Sequence, residues 1–173
     1  GFVLLDGEVE IELGFYKKIK LKGPDKVMLR PGMFHSTKAI SKFGAKILEV
    51  ESPSDKEDLV RFKDSYGRES TPYEGKEKME PLESGALLFK EPEFNKKNIY
   101  NFKNLTITLE KNTDEKKLIN RDKKIIFAIL EGGLQSEDSR FVLTAGDIVR
   151  SDTINKLCEV FTVKKHIVYL TID

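Results

Sequence analysis

The chain has 173 residues, with 30 Lys and Arg against 29 Asp and Glu, for a formal charge of +1. That near-balance argues against a nucleic-acid binder, which carries a basic excess or stripe, and the recurring blocks of large apolar residues exclude a disordered composition. No apolar run approaches the roughly 20 residues of a membrane helix, and Cys158 stands alone, so no intrachain disulfide forms and a reducing, cytoplasmic compartment is the simplest reading.

The chain opens as Gly1-Phe2-Val3-Leu4-Leu5-Asp6-Gly7, a buried strand running into a turn. Such an opening reads as a processed or trimmed product, with natural residues upstream of Gly1. Strand signals follow throughout: short runs of Val, Ile, Leu, Phe and Thr punctuated by Gly, Pro, Asp and Asn. They predict strands at Phe2–Leu5, Glu8–Leu13, Tyr16–Lys20, Lys26–Leu29 and Lys46–Glu51. A further strand is expected to begin near Phe34, after the Pro31-Gly32 turn. From about Ser52 to Lys97 the composition changes to prolines, glycines and charges. This predicts an irregular connection, with one short helix near Ser54–Phe62 whose Ser54 and Glu57 fit a capping box. Strands resume at Leu105–Glu110, Ile125–Leu130, Arg140–Leu143, Asp147–Arg150, Glu159–Val163 and Ile167–Ile172. Such a density of short strands predicts an all-β sandwich or barrel.

The two flanks repeat each other. Phe2 to Val9 (FVLLDGEV) matches Phe127 to Leu134 (FAILEGGL): a four-residue apolar strand, an acid, a glycine and a return strand. The glycine supplies the positive φ of a tight turn. Val27 to Gly32 then matches Phe141 to Gly146, and each half ends in an apolar strand. The expected organisation is a first unit at 1–52, an irregular linker at 53–97 that wraps the barrels, and a second unit at 98–173.

An apolar strand ending in an acid and Gly, a return strand, then Leu-x-x-Gly and a terminal strand resembles the cupin jelly roll. Pro31-Gly32-Met33-Phe34-His35 is similar to the second cupin motif, although the proline directly precedes Gly32 where the family usually has one residue between. Ile47 to Glu51, then Glu57 to Arg68 (EDLVRFKDSYGR), resembles the end of the cupin domain of type II mannose-6-phosphate isomerases. The resemblance covers residues 2–68; the second half is similar to a degenerate cupin by pattern alone. The implied fold is an all-β bicupin, two jelly-roll-type barrel units, the first truncated at its N-terminus.

What the resemblance implies about function centres on His35. It matches the second-motif histidine and would be a metal ligand or an acid/base group at a barrel mouth; its other reading is a hydrogen-bonded turn histidine. A divalent metal would need further ligands upstream of Gly1, because the chain has only His35 and His166. Arg61, Tyr66 and Arg68 could hold a sugar phosphate through guanidinium forks, or could anchor the exit segment to the barrel. Glu10, Glu12 and Glu49 could face the lumen. The second half offers no metal or catalytic site, and Cys158 reads as a small core hydrophobe.

Two functions follow. One is a mannose-6-phosphate isomerase-like or epimerase activity on a sugar phosphate in carbohydrate or surface-polysaccharide metabolism. The other is a non-catalytic cupin that binds a sugar or serves as a dimerisation module. A small sugar or sugar phosphate and a second copy of the chain, as a homodimer, are the expected partners; nucleic acid and membrane are not. His35 is expected on the inner face of the first unit, shielded from bulk solvent, with Phe34 on the outer face and covered by the linker or a partner chain.

Overall fold

The computed structural model describes residues 1–53, 60–61, 67–69 and 87–173. Gly1–Glu51 and Phe89–Asp173 form one compact unit, and Ser52–Leu88 forms another. The short helix expected near Ser54–Phe62, and most of the expected linker, lie outside the described residues.

The first flank folds as β1 (Phe2–Asp6), β2 (Glu8–Leu13), β3 (Lys17–Lys22), β4 (Asp25–Val27), β5 (His35–Ala39) and β6 (Lys46–Glu49). The second contains β7 (Lys97–Phe102), β8 (Leu105–Asn112), β9 (Ile126–Gln135), β10 (Phe141–Thr144), β11 (Ile148–Arg150), α1 (Ser151–Cys158) and β12 (Ile167–Ile172). Three antiparallel sheets result, ordered β4-β1-β6, β3-β2-β5 and β10-β9-β12-β8-β7, with β11 also on β9. The all-β class is therefore correct. Among the described residues no sheet closes on itself: the first repeat is divided between two three-stranded sheets, and the strands of the second join in one six-stranded sheet.

The repeat read from the two apolar-acid-Gly motifs is present in the strand pairing. β1 lies between β4 and β6, with Phe2 opposite both Val27 and Glu49. The first part of β9 lies between β11 and β12, with Phe127 opposite Val149 and Thr171. Past Gly7 the chain enters another sheet, where Val9 of β2 sits opposite Leu21 of β3 and Ala39 of β5. Past Gly132 the end of β9 leaves β12 in the same way, with Leu134 opposite Leu143 of β10 and Gln135 bridged to Thr162. Phe2–Leu5 and Phe127–Leu130 thus occupy like positions.

The downstream match needs correction. Pairing aligns Leu21–Val27 with Leu143–Val149, not Val27–Gly32 with Phe141–Gly146, because Leu21 and Leu143 both face the return strand while Val27 and Val149 both face the first strand.

Why these strands begin as unbroken apolar runs follows from their place. In β1, Phe2 and Leu4 pack with Val9 and Ile11 inside the first repeat. Val3, on the opposite face, packs with Ile126, Ala128, Ile148, Leu170 and Ile172 of the second repeat. β9 does the same: Phe127 and Ile129 face the interior of their own repeat with Leu134, Leu143, Ile154, Ile167 and Tyr169. Strands buried on both faces need apolar residues at every position, not at alternate ones. The outer β2-β3 ladder shows the contrasting pattern. Val9 and Ile11 turn inward, while Glu8, Glu10 and Glu12 stand opposite Lys22, Lys20 and Lys18 on the solvent face. The ion pair between Arg150 and Asp25, 2.7 Å apart, also joins the repeats.

Two further expectations fail. Glu159–Val163 forms no strand; the chain makes α1 just before it, and only Thr162 reaches a bridge. α1 packs Ile154, Leu157 and Cys158 onto the second core. No strand is expected at the start of the second unit before Leu105, yet β7 forms there, extends the large sheet and sends Tyr100 and Phe102 against the core shared by the repeats.

Cys158 closes α1 half-buried, and burial, with Glu115 nearby, pushes its thiol up to about 11. At pH 8 almost none of it is thiolate, so the native protein should react with a disulfide reagent roughly 100-fold more slowly than the urea-unfolded chain. Equal rates by absorbance would show that the thiol lies outside the core.

Candidate functional site

The polar positions of β8 lie on one face. Leu105, Ile107 and Leu109 enter the core between the repeats, so Thr106, Thr108, Glu110 and Asn112 project from the other side, toward the inside of the second repeat. On neighbouring β12, Tyr169 and Thr171 share that face, Thr171 opposite Thr108 and Tyr169 opposite Glu110. A carboxylate and an amide are thereby carried into the interior: Glu110 and Asn112 are both buried.

Their burial is offset by a closed set of hydrogen bonds. The Asn112 amide donates to the Tyr169 hydroxyl at 2.8 Å, and that hydroxyl donates to Glu110 Oε2 at 3.2 Å. Arg121 Nη1 donates to Glu110 Oε1 at 2.8 Å. Arg121 Nη2 donates to the Tyr169 hydroxyl at 3.0 Å and to the Lys117 carbonyl at 2.7 Å. The guanidinium also lies 5.4 Å from the Phe127 ring centre and 5.5 Å from that of Tyr169. Burial disfavours the charged Arg121, but the hydrogen bonds and charge of Glu110 with Tyr169 outweigh it and raise its pKa. Burial, reinforced by Glu110, raises that of Tyr169 and keeps the hydroxyl a donor.

Of this network Arg121 reaches the wall of an open cleft of about 450 Å³. Thr106, Thr108 and Thr171 line it beside Ile125, with Lys97, Lys116, Lys117 and Arg121 around them and Asp173 at one side. Lys97 Nζ stands 3.8 Å from Glu110. Lys116 and Lys117 belong to a 3-10 turn, Glu115–Lys117, started by Asp114, whose carboxylate accepts from the Lys116 amide. Sequence reasoning assigned no site to this half. The available signal was the period of LTITLE, where Thr106, Thr108 and Glu110 share a face that reads equally well as solvent.

The predicted site residues are placed differently. His35 pairs across from Leu13 in β5, and Ala39 from Val9, so His35 is on the inner face of the first sheet, as expected. It is nonetheless exposed, as is the whole of β5. Phe34 is 40% exposed. The His35 Nδ1 lies 3.0 Å from the Met33 carbonyl and must donate there, which leaves the lone pair of the neutral ring on Nε2. Among the described residues no group of three or more His, Cys, Asp or Glu comes together, so they do not fit a metal centre at His35. Glu10 and Glu12 face outward, Glu10 pairing with Lys18 at 3.2 Å, which corrects their expected place in the lumen. Glu49, opposite Phe2, is on the inner face and exposed.

Arg61 Nη1 donates to the Arg68 carbonyl at 3.3 Å, so the two arginines are neighbours. Tyr66, the third member of that group, lies outside the described residues. His166 is held by Glu131, Nε2 to Oε1 at 2.7 Å, and its ring meets the edge of Phe94. Among the described residues no helix is long and apolar enough to cross a membrane.

Fold and cleft together define a duplicated antiparallel β-protein with a polar recess in its second repeat. Comparison with known proteins finds no matching family model, no matching curated protein and no matching solved structure.

Proposed function

We propose that the chain is a non-catalytic binding module that holds a small polyhydroxylated ligand, a sugar, in the cleft of its second repeat. The observation that carries this reading is the cleft itself. Hydroxyls of Thr106, Thr108 and Thr171 offer donors and acceptors suited to ligand hydroxyls, on a sheet whose buried Glu110–Arg121–Tyr169 network is already satisfied and so rigid. A satisfied network positions; it has no group poised to move a proton. Glucose added to isotope-labelled protein should shift the amide resonances of Thr108, Thr171 and Arg121, and Thr108→Val with Thr171→Val should abolish those shifts. Unchanged spectra with glucose, its 6-phosphate and glucuronate would end the proposal.

The resemblance-based reading, an aldose–ketose isomerase of sugar phosphates, has one supporting observation, His35 on the inner face of the first repeat. Such an enzyme moves a proton between adjacent carbons and needs a base there. Interconversion of mannose 6-phosphate and fructose 6-phosphate that is lost in His35→Ala would establish it in place of the binding module. Arg61, Tyr66 and Arg68 would then be the phosphate-holding candidates.

A further inference from the structure

We propose that the same cleft selects ligands carrying an oxyanion, a phosphate monoester or a carboxylate, seated between Lys97, Lys116 and Lys117 above the Thr108–Thr171 pair. This rests on the binding reading and names the ligand class. The charge of Arg121 is already matched by buried Glu110 at 2.8 Å, and both terminal nitrogens of its guanidinium are engaged within the protein. It therefore acts as a fixed wall and not as the anion's clamp. The three lysines differ. Lys97 reaches Glu110 only at 3.8 Å, an oxygen that Arg121 already holds. Lys116 and Lys117 are adjacent, exposed, and in no ion pair found among the described residues. Four cationic residues thus line the recess beside a single acid, Asp173, while Glu110 lies buried behind Arg121 and is already engaged by it.

Bringing three ammonium groups around one small recess is electrostatically unfavourable until an anion enters. Lysine provides point charges that suit a phosphate or carboxylate of any orientation, and threonine hydroxyls can donate to its oxygens. The sheet face beneath presents Thr106, Thr108 and Thr171, and the one acid lining the cleft among the described residues, Asp173, is outnumbered by four cationic residues. Because the lysines are exposed, their attraction is screened by salt.

The test is calorimetric titration of the whole chain at low and at physiological salt with glucose, glucose 6-phosphate, glucuronate and inorganic phosphate. Glucose 6-phosphate or glucuronate should bind about tenfold more tightly than glucose at low salt, a step of about 1.4 kcal/mol. The margin should shrink with added salt. Lys116→Ala with Lys117→Ala should remove most of it, and Lys97→Ala part of it. Lys164→Ala with Lys165→Ala, exposed lysines outside the cleft, should change nothing. Preference for the phosphate over the carboxylate sugar, or the reverse, identifies the source of the oxyanion. Equal affinity for glucose and both anionic sugars overturns the oxyanion proposal and leaves the sugar reading standing. Inorganic phosphate binding as tightly as glucose 6-phosphate keeps the oxyanion and overturns the sugar. Absence of binding by all four overturns both.

Discussion

Glu110→Ala is expected to destabilise the protein by about 3–5 kcal/mol, the range for removing one partner of a buried ion pair. Glu110 is 3% exposed, and its loss strands two groups at once: the Arg121 guanidinium, whose charge loses its counterion, and the Tyr169 hydroxyl, which loses its acceptor. Arg121→Met should cost a similar amount, because it leaves a buried carboxylate with only the Tyr169 hydroxyl and a distant Lys97. The double variant Glu110→Leu with Arg121→Met should cost less than either single change, since no buried charge remains and the Asn112 amide still reaches the tyrosine. Urea unfolding of the four proteins gives the coupling directly. Additive losses would show that Glu110 and Arg121 act separately, and the rigid wall of the cleft would be lost as an argument.

The parts of this fold that were legible in the sequence are those set by local pattern. FVLL and FAIL announce buried strands, and VEIEL announces an alternating one, although alternation leaves open which face is wet and allows Glu10 and Glu12 to face the lumen. Each pattern needs only the chain itself to be read. α1 was not legible: Ser151 to Cys158 contains Asp, Thr and Asn, weak helix formers, and its apolar spacing is confined to one short set, Ile154, Leu157 and Cys158. Its helicity follows from packing those residues onto Phe127 and Tyr169, which are remote in sequence. β7 was hidden similarly, because KNIYNF alternates weakly and its place depends on Tyr100 and Phe102 meeting the other repeat. The candidate site is non-local in the same sense. Glu110, Arg121 and Tyr169 form no motif in the chain; strand pairing between β8 and β12 and the turn before β9 bring them together. For His35, alternation says only that Phe34 and Ser36 take the opposite face; the inner face is implied by the cupin resemblance, and exposure depends on what covers the sheet, about which neither carries information.

Gly132→Ala is expected to cost about 3–5 kcal/mol, among the largest losses for so small a substitution. Two terms add. Gly132 has φ +67°, where an alanine pays roughly 1–2 kcal/mol that glycine does not. A Cβ there would also overlap the carbonyl oxygen of His166, which is backbone at the entry to β12 and can yield only if β12 shifts against β9. That approach is close because β9 bends at this residue to pass from β12 to β10, the feature that defines each repeat. Gly7 makes the equivalent bend in the first repeat, at φ +87° and pressed on the Gly44 carbonyl, so Gly7→Ala should show the same two terms. Gly14 separates them. It has φ +61° but nothing within 4 Å of its would-be Cβ, so Gly14→Ala should show only the conformational cost of about 1–2 kcal/mol. Urea midpoints with unchanged slopes would report the three differences as stability. If Gly132→Ala and Gly14→Ala lose the same amount, β9 and β12 do not approach as described. If Gly7→Ala falls with Gly14→Ala instead of with Gly132→Ala, the two bends are not equivalent, and the duplication extends to the strand order but not to the corner at which each repeat bends.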